Sequence, residues 1–160
     1  MDIRSKLKFL IPQGTWLWRT IILLGFIYFD FQVTVLLCTN PHAEGNLLAR
    51  SFMQTYGIVQ GLAIFDLLMA IPIYLILVFD SYLIRYTGPY STFAELFVDV
   101  ALGWVVAGAH FNGALSWLWE APHLTRQTIG LGLYLSIAFP AFYLRQKFDF
   151  SQLIREQNTQ

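Results

Sequence analysis

Three aspartates and one histidine interrupt the apolar stretches of this chain: Asp30, Asp66, Asp99 and His110. A carboxylate in hydrocarbon costs about 2.5–3.5 kcal/mol on insertion-derived scales, so intramembrane acids face a partner, a cavity or a ligand. Asp99 and His110 are close to three helical turns apart, which puts them on one helix face with Gly103, Val106 and Trp117. Thr34 lies one turn beyond Asp30 and can hydrogen-bond with it. At the helical rise per residue, Asp30, Asp66 and His110 fall about 12, 15 and 13 Å in from the same end of their spans. Asp99 is deeper.

Carboxylates and an imidazole at one level can hold an amine or a hydroxyl. They can also move a proton, which demands one neutral and one ionised partner; burial and like-charge proximity produce that split. Two carboxylates and an imidazole could ligate a divalent ion. However, the chain has no His-Glu-x-x-His and no cysteine pair, so no metal is expected. No nucleophile elbow and no glycine-rich phosphate loop is present, and no cofactor is expected. A structural alternative stays open: each acid can serve as an interhelical hydrogen bond, and His110 and Asn112 as packing polar groups.

The elements that must position these groups are membrane helices. Apolar residues make up 56% of the 160 and charged residues 12%, where a soluble domain carries about 25% charge. Net charge is zero, which implies no nucleic-acid surface. Four apolar runs approach the roughly 20 residues that a membrane helix needs. They place spans at about 16–38, 56–78, 91–119 and 127–144, in one all-α membrane domain covering 1–160. Asn46 is positioned to cap a short helix from Leu47 to Gln54. Pro72 and Pro140 free the carbonyls of Leu68 and Ser136 inside the spans, and such carbonyls are tolerated beside neighbouring helices, water or ligands. Glu44 and Arg50 read as a loop ion pair; Asp80, Glu95 and Glu120 read as interfacial and solvated. Cys38 is the single cysteine, so no internal disulfide is possible. No cleavable signal peptide is evident, and the first span is expected to act as its own targeting signal.

With four spans, one side carries Arg4, Lys6, Lys8, Arg19, Arg85, Arg145, Lys147 and Arg155, and the other only Arg50 and Arg126. Positive-inside bias then places both termini in the cytoplasm.

The run Phe65-Asp66-Leu67-Leu68-Met69-Ala70-Ile71-Pro72 resembles a signature of the EXPERA family, in which a membrane acid precedes a helix proline by six residues. These are four-span proteins like the emopamil-binding protein and the sigma-two receptor. Asp30-Phe31-Gln32 is similar to the first-span Asp-x-Gln of the sigma-two branch, and Tyr134 with Pro140 to its fourth helix. The family usually has Glu where this chain has Asp66. The resemblance implies a pocket for a sterol or a lipid-like, cationic amphiphile. Asp30 and Asp66 would contact the ligand, with Thr34 beside them, and Asp99 and His110 would line the same cavity. In the enzymatic branch, one acid protonates a sterol double bond and a second group accepts a proton. A second resemblance joins Asp30-x3-Thr34, Glu44-x-Asn46, Arg50 and Asn112 to a small prokaryotic membrane family, and implies no known activity. The expectation is a multi-pass integral membrane protein whose partners are membrane lipids and an amphiphile ligand. The alternative is an accessory subunit, in which the acids secure helix contacts and the aromatic surface packs on other membrane proteins or a second copy.

Overall fold

In the computed structural model, residues 10–84 and 90–144 are described, and no strand occurs among them. Helix α1 is Thr15–Leu37. A 3₁₀ turn, Pro41–Ala43, leads to α2, Leu47–Tyr56. Helix α3 is Ile58–Leu83, and α4 runs over Ser91–Ser116 with a π-helical segment at Gly103–Gly108. Helix α5 is His123–Ala138 and continues as π-helix over Phe139–Leu144. The chain is an all-helical bundle. The basic residues Arg4, Lys6, Lys8, Arg85, Arg145, Lys147 and Arg155, which set the expected orientation, lie outside the described residues.

Helices α1, α3 and α4 are long and apolar enough to cross a membrane. Their 23, 26 and 26 residues extend about 34, 39 and 39 Å, against a hydrocarbon core of about 30 Å. The regular part of α5 has 16 residues, about 24 Å. Pro140 explains why α5 changes pitch: it cannot donate to Ser136, and wider turns absorb the missing bond. Helix α5 also starts earlier than expected, at His123, because Pro122 sits immediately before its first turn.

The local signals around α2 hold. The Asn46 side chain accepts from the backbone N–H of Leu48 at 3.0 Å and of Ala49 at 3.3 Å, capping the helix. Glu44 and Arg50 do not form the expected ion pair. Arg50 Nε donates to the Glu44 backbone carbonyl at 2.8 Å, and its Nη2 donates to the same oxygen. The Glu44 carboxylate instead accepts from the Asn46 N–H at 2.8 Å. Gly57, at φ 84°, turns the chain between α2 and α3, a conformation that favours glycine. Gly61 lets the two helices touch: a Cβ there would lie 2.3 Å from the Phe52 carbonyl oxygen.

Helix α1 is the hub. It packs against α3, α4 and α5, α4 packs against α5, and α3 leans on α1 and α2. Between α3 and α4 there is at most glancing contact among the described residues. The main core gathers Leu23 and Ile27 of α1, Leu77 of α3, Val106 and Ala107 of α4, and Tyr134 of α5. Cys38, Met53, Leu62 and Phe65 form a second core at the other end of α1. The outward surface is apolar, with Leu36, Leu67, Phe79 and Phe97 all more than 60% exposed, as lipid contact requires.

Candidate functional site

Helices α1 and α4 run parallel and are joined by two ionic rungs in one register. Arg19 meets Asp99, and Asp30 meets His110, each pair 80 residues apart in sequence. The rungs are eleven residues apart on both helices, so they sit about 16 Å apart along the pair.

The first rung is closed. Arg19 Nε donates to Asp99 Oδ1 at 2.9 Å and Nη2 to Oδ2 at 3.0 Å. Tyr134 and Tyr143 donate their hydroxyls to the same two oxygens, each at 2.7 Å. Arg19 also donates to Glu95 Oε2 at 3.1 Å and to Thr15 Oγ1 at 2.7 Å. Its guanidinium carbon lies 4.5 Å from the Trp16 ring centre and 4.4 Å from that of Phe142. Arg19 is 0% exposed and Asp99 1%. Such a pair, bidentate and with its remaining lone pairs satisfied, is the arrangement under which a buried charge pair is tolerated. Two sequence expectations are corrected here. Asp99 does not line a cavity with His110, because Arg19 and the two tyrosines use all its acceptor capacity. Glu95 is not a solvated interfacial acid, because Arg19 draws it inward to 18% side-chain exposure.

The second rung opens on a cavity of about 740 Å³. Its back wall is Asp30 and Thr34 of α1. One side is Leu62, Phe65, Asp66, Met69, Pro72 and Ile73 of α3; the other is Val105, Ala109, His110, Asn112 and Gly113 of α4. Glu44, Gly45 and Asn46 rim one end, with Ser116 and Trp117 nearby. Thus Asp30, Thr34, Asp66 and His110 come together as their estimated depths suggested, and Asp99 stands apart.

A hydrogen-bonded chain orders the back wall. Trp117 Nε1 donates to Thr34 Oγ1 at 3.1 Å, and Thr34 Oγ1 donates to Asp30 Oδ1 at 3.5 Å. Asp30 Oδ2 lies 2.9 Å from His110 Nδ1. An ionised carboxylate only accepts, so Nδ1 carries the proton and Nε2 is left as the imidazole's other face. Gly113 makes this geometry feasible: a Cβ there would lie 2.8 Å from both Asp30 oxygens.

Asp66 differs from the other two aspartates. It is half-buried, lines the cavity and makes no hydrogen bond among the described residues. His110, Asp30 and Glu44 are within electrostatic reach of it. Asn112, also at the cavity wall, accepts from Arg126 Nε at 2.9 Å. The described residues contain no group of three or more His, Cys, Asp or Glu placed to hold a metal.

Arg19 and Trp117 are the residues that sequence reasoning underused. Trp117 lay on the expected face, but its bond to Thr34 needed the α1–α4 register. Arg19 had been read as an edge charge on the strength of its position near the start of α1.

No family model matches the chain, and the searches of curated proteins and of solved structures return no match.

Proposed function

We propose that the chain is a four-span membrane protein, with α5 as the fourth span and both termini cytoplasmic, that binds a lipid-like or sterol-like amphiphile in the cavity between α1, α3 and α4. The resemblance to the EXPERA family belongs to this reading. The observation that carries it is Asp66: of three intramembrane aspartates, two are engaged by the protein, and the third faces a roomy cavity with its carboxylate free of hydrogen-bond partners. A volume of about 740 Å³ is within the usual range of small-molecule sites, about 300–1,000 Å³. An ammonium or hydroxyl group brought to Asp66 would replace the missing partner in a low-dielectric setting, where charge-assisted contacts are strong.

The oriented His110 and the neighbouring Asp66 also have the geometry for proton exchange with such a ligand, which is the enzymatic form of the same reading. The competing reading is an accessory subunit, favoured by the extensive exposed apolar surface. A thermal-shift panel of sterols and cationic amphiphiles on wild type, Asp30→Asn and Asp66→Asn decides between them. Selective stabilisation of the wild type is expected. Equal shifts in all three proteins, together with a stoichiometric protein partner after gentle solubilisation, would transfer the case to the subunit.

A further inference from the structure

The cavity has a polarity gradient along the bundle axis, and the gradient names its occupant more closely. Toward the α1 C-terminus it is rimmed by Glu44 and Asn46, followed by Asp30, Asp66 and His110. Toward the other end only Met69, Pro72, Ile73 and Val105 line it. Because α3 and α4 both lean on α1 without packing on each other, nothing among the described residues closes the slot between them.

We infer that the ligand is a single-chain amphiphile with an ammonium head, taken sideways from the leaflet on the side of the 43–46 loop. Its head lies at Asp66, and its chain runs along Met69, Ile73 and Val105. This rests on the amphiphile-binding reading; with cytoplasmic termini, the source is the outer leaflet. Three acids against one imidazole give the head end negative character, which selects an ammonium over a phosphate or carboxylate. The head-to-tail sense matches that of a lipid already standing in that leaflet, so entry through the slot needs no inversion.

Affinity and chain length then separate. A hydrocarbon chain moving from lipid into an apolar slot gains no hydrophobic free energy, because lipid is as apolar as the slot. The head contact therefore sets affinity, and the slot sets only a maximum length. From Asp66 to Ile73 the slot extends about 10 Å.

The test uses the full chain in zwitterionic-lipid nanodiscs, with primary alkylamines of 8, 12 and 18 carbons at equal membrane mole fraction. One set carries a diazirine near the amine and another at the chain end. Head-near probes should label the 43–46 loop and Trp117, and tail-end probes Met69–Ile73 and Val105. Affinity should hold steady with length up to a limit, and Ile73→Phe should lower that limit. Asp66→Asn should weaken binding at least tenfold, and Asp66→Glu should retain it, which separates loss of charge from misfolding. Labelling of the cavity in the reverse sense, or better capture of a matched sterol than of any alkylamine, overturns this inference and leaves the pocket standing. Labelling no different from bulk lipid in wild type and Asp66→Asn alike overturns both.

Discussion

At the scale of single residues, the cavity depends on one missing methyl group. Gly113 leaves space for the Asp30 carboxylate, and Ala there would press on both oxygens. Gly113→Ala is expected to push Asp30 off His110 and weaken ligand binding about tenfold, while Asp99 stays paired; the His110 ring proton signals in NMR report the broken contact. The Arg19 cluster makes a different prediction. Asp99→Ala leaves a fully buried guanidinium without its main partner and should cost about 3–5 kcal/mol in detergent unfolding. The double variant Arg19→Met with Asp99→Leu should recover most of that loss; a double variant as unstable as the single would refute the electrostatic account. Cys38 supplies a pH dependence outside the spans. It is 4% exposed, and burial raises its thiol pKa, opposed by a contact with the Asn40 carbonyl at 3.3 Å and reinforced by the Glu44 charge. The thiolate is the reactive form, so alkylation should be slow at neutral pH and should accelerate only above the pH at which an ordinary thiol responds. Iodoacetamide rates across pH 7–10 check this. The convergence of Asp30, Asp66 and His110 was legible from depth alone, because depth follows from helical rise. The fate of Asp99 was not, because it depends on a lateral partner, Arg19, and on an aromatic sandwich built from two distant helices.

At the scale of elements, helix starts were easier to read than helix ends. Asn46 announced α2 through its side chain, and removing the cap in Asn46→Ala should cost about 1 kcal/mol. Loss of helical protection in hydrogen exchange, confined to the first turn of α2, is the expected signature. The ends of α2 and α3 are governed by Gly57 and Gly61, whose roles are a left-handed turn and a close approach. Gly61→Leu would force the α2–α3 hairpin apart against Phe52 backbone, so it should destabilise far more than Gly132→Leu, where a Cβ meets nothing within 4 Å. The π-helical segments had a visible cause in α5, where Pro140 removes a donor. In α4 the segment Gly103–Gly108 falls where glycines let α5 approach: a Cβ at Gly108 would lie 2.8 Å from the Gln127 carbonyl oxygen. Periodicity cannot reveal such a wider turn, since one extra residue per turn leaves the apolar count unchanged.

At the scale of the molecule, the bundle divides into parts of unequal constraint. Helices α1, α4 and α5 are tied by the Arg19–Asp99–Tyr134–Tyr143 cluster, and α1 and α4 again by Asp30–His110. Helix α3 has no comparable tie; its described bonds at the same end are Tyr74 OH to the Leu10 carbonyl at 2.6 Å and Gln13 Nε2 to Tyr82 OH at 3.3 Å. The α2–α3 hairpin should therefore be the part that moves when the slot fills, while the three-helix platform stays fixed. Spin labels at Phe79→Cys on α3 and Phe97→Cys on α4, in a Cys38→Ala background, span the slot; Tyr28→Cys on α1 with Phe97→Cys spans the platform. All three sites are more than 60% exposed, so labels there project outward without repacking the core. Pulsed-EPR distances across the slot should be broad without ligand and should narrow with a long-chain amine, whereas the platform distance should be narrow throughout. Breaking the first rung with Asp99→Asn should broaden the platform distance. If that distance is already as broad as the slot distance in the wild type, the two rungs do not stiffen α1 against α4, and the division into platform and moving hairpin fails.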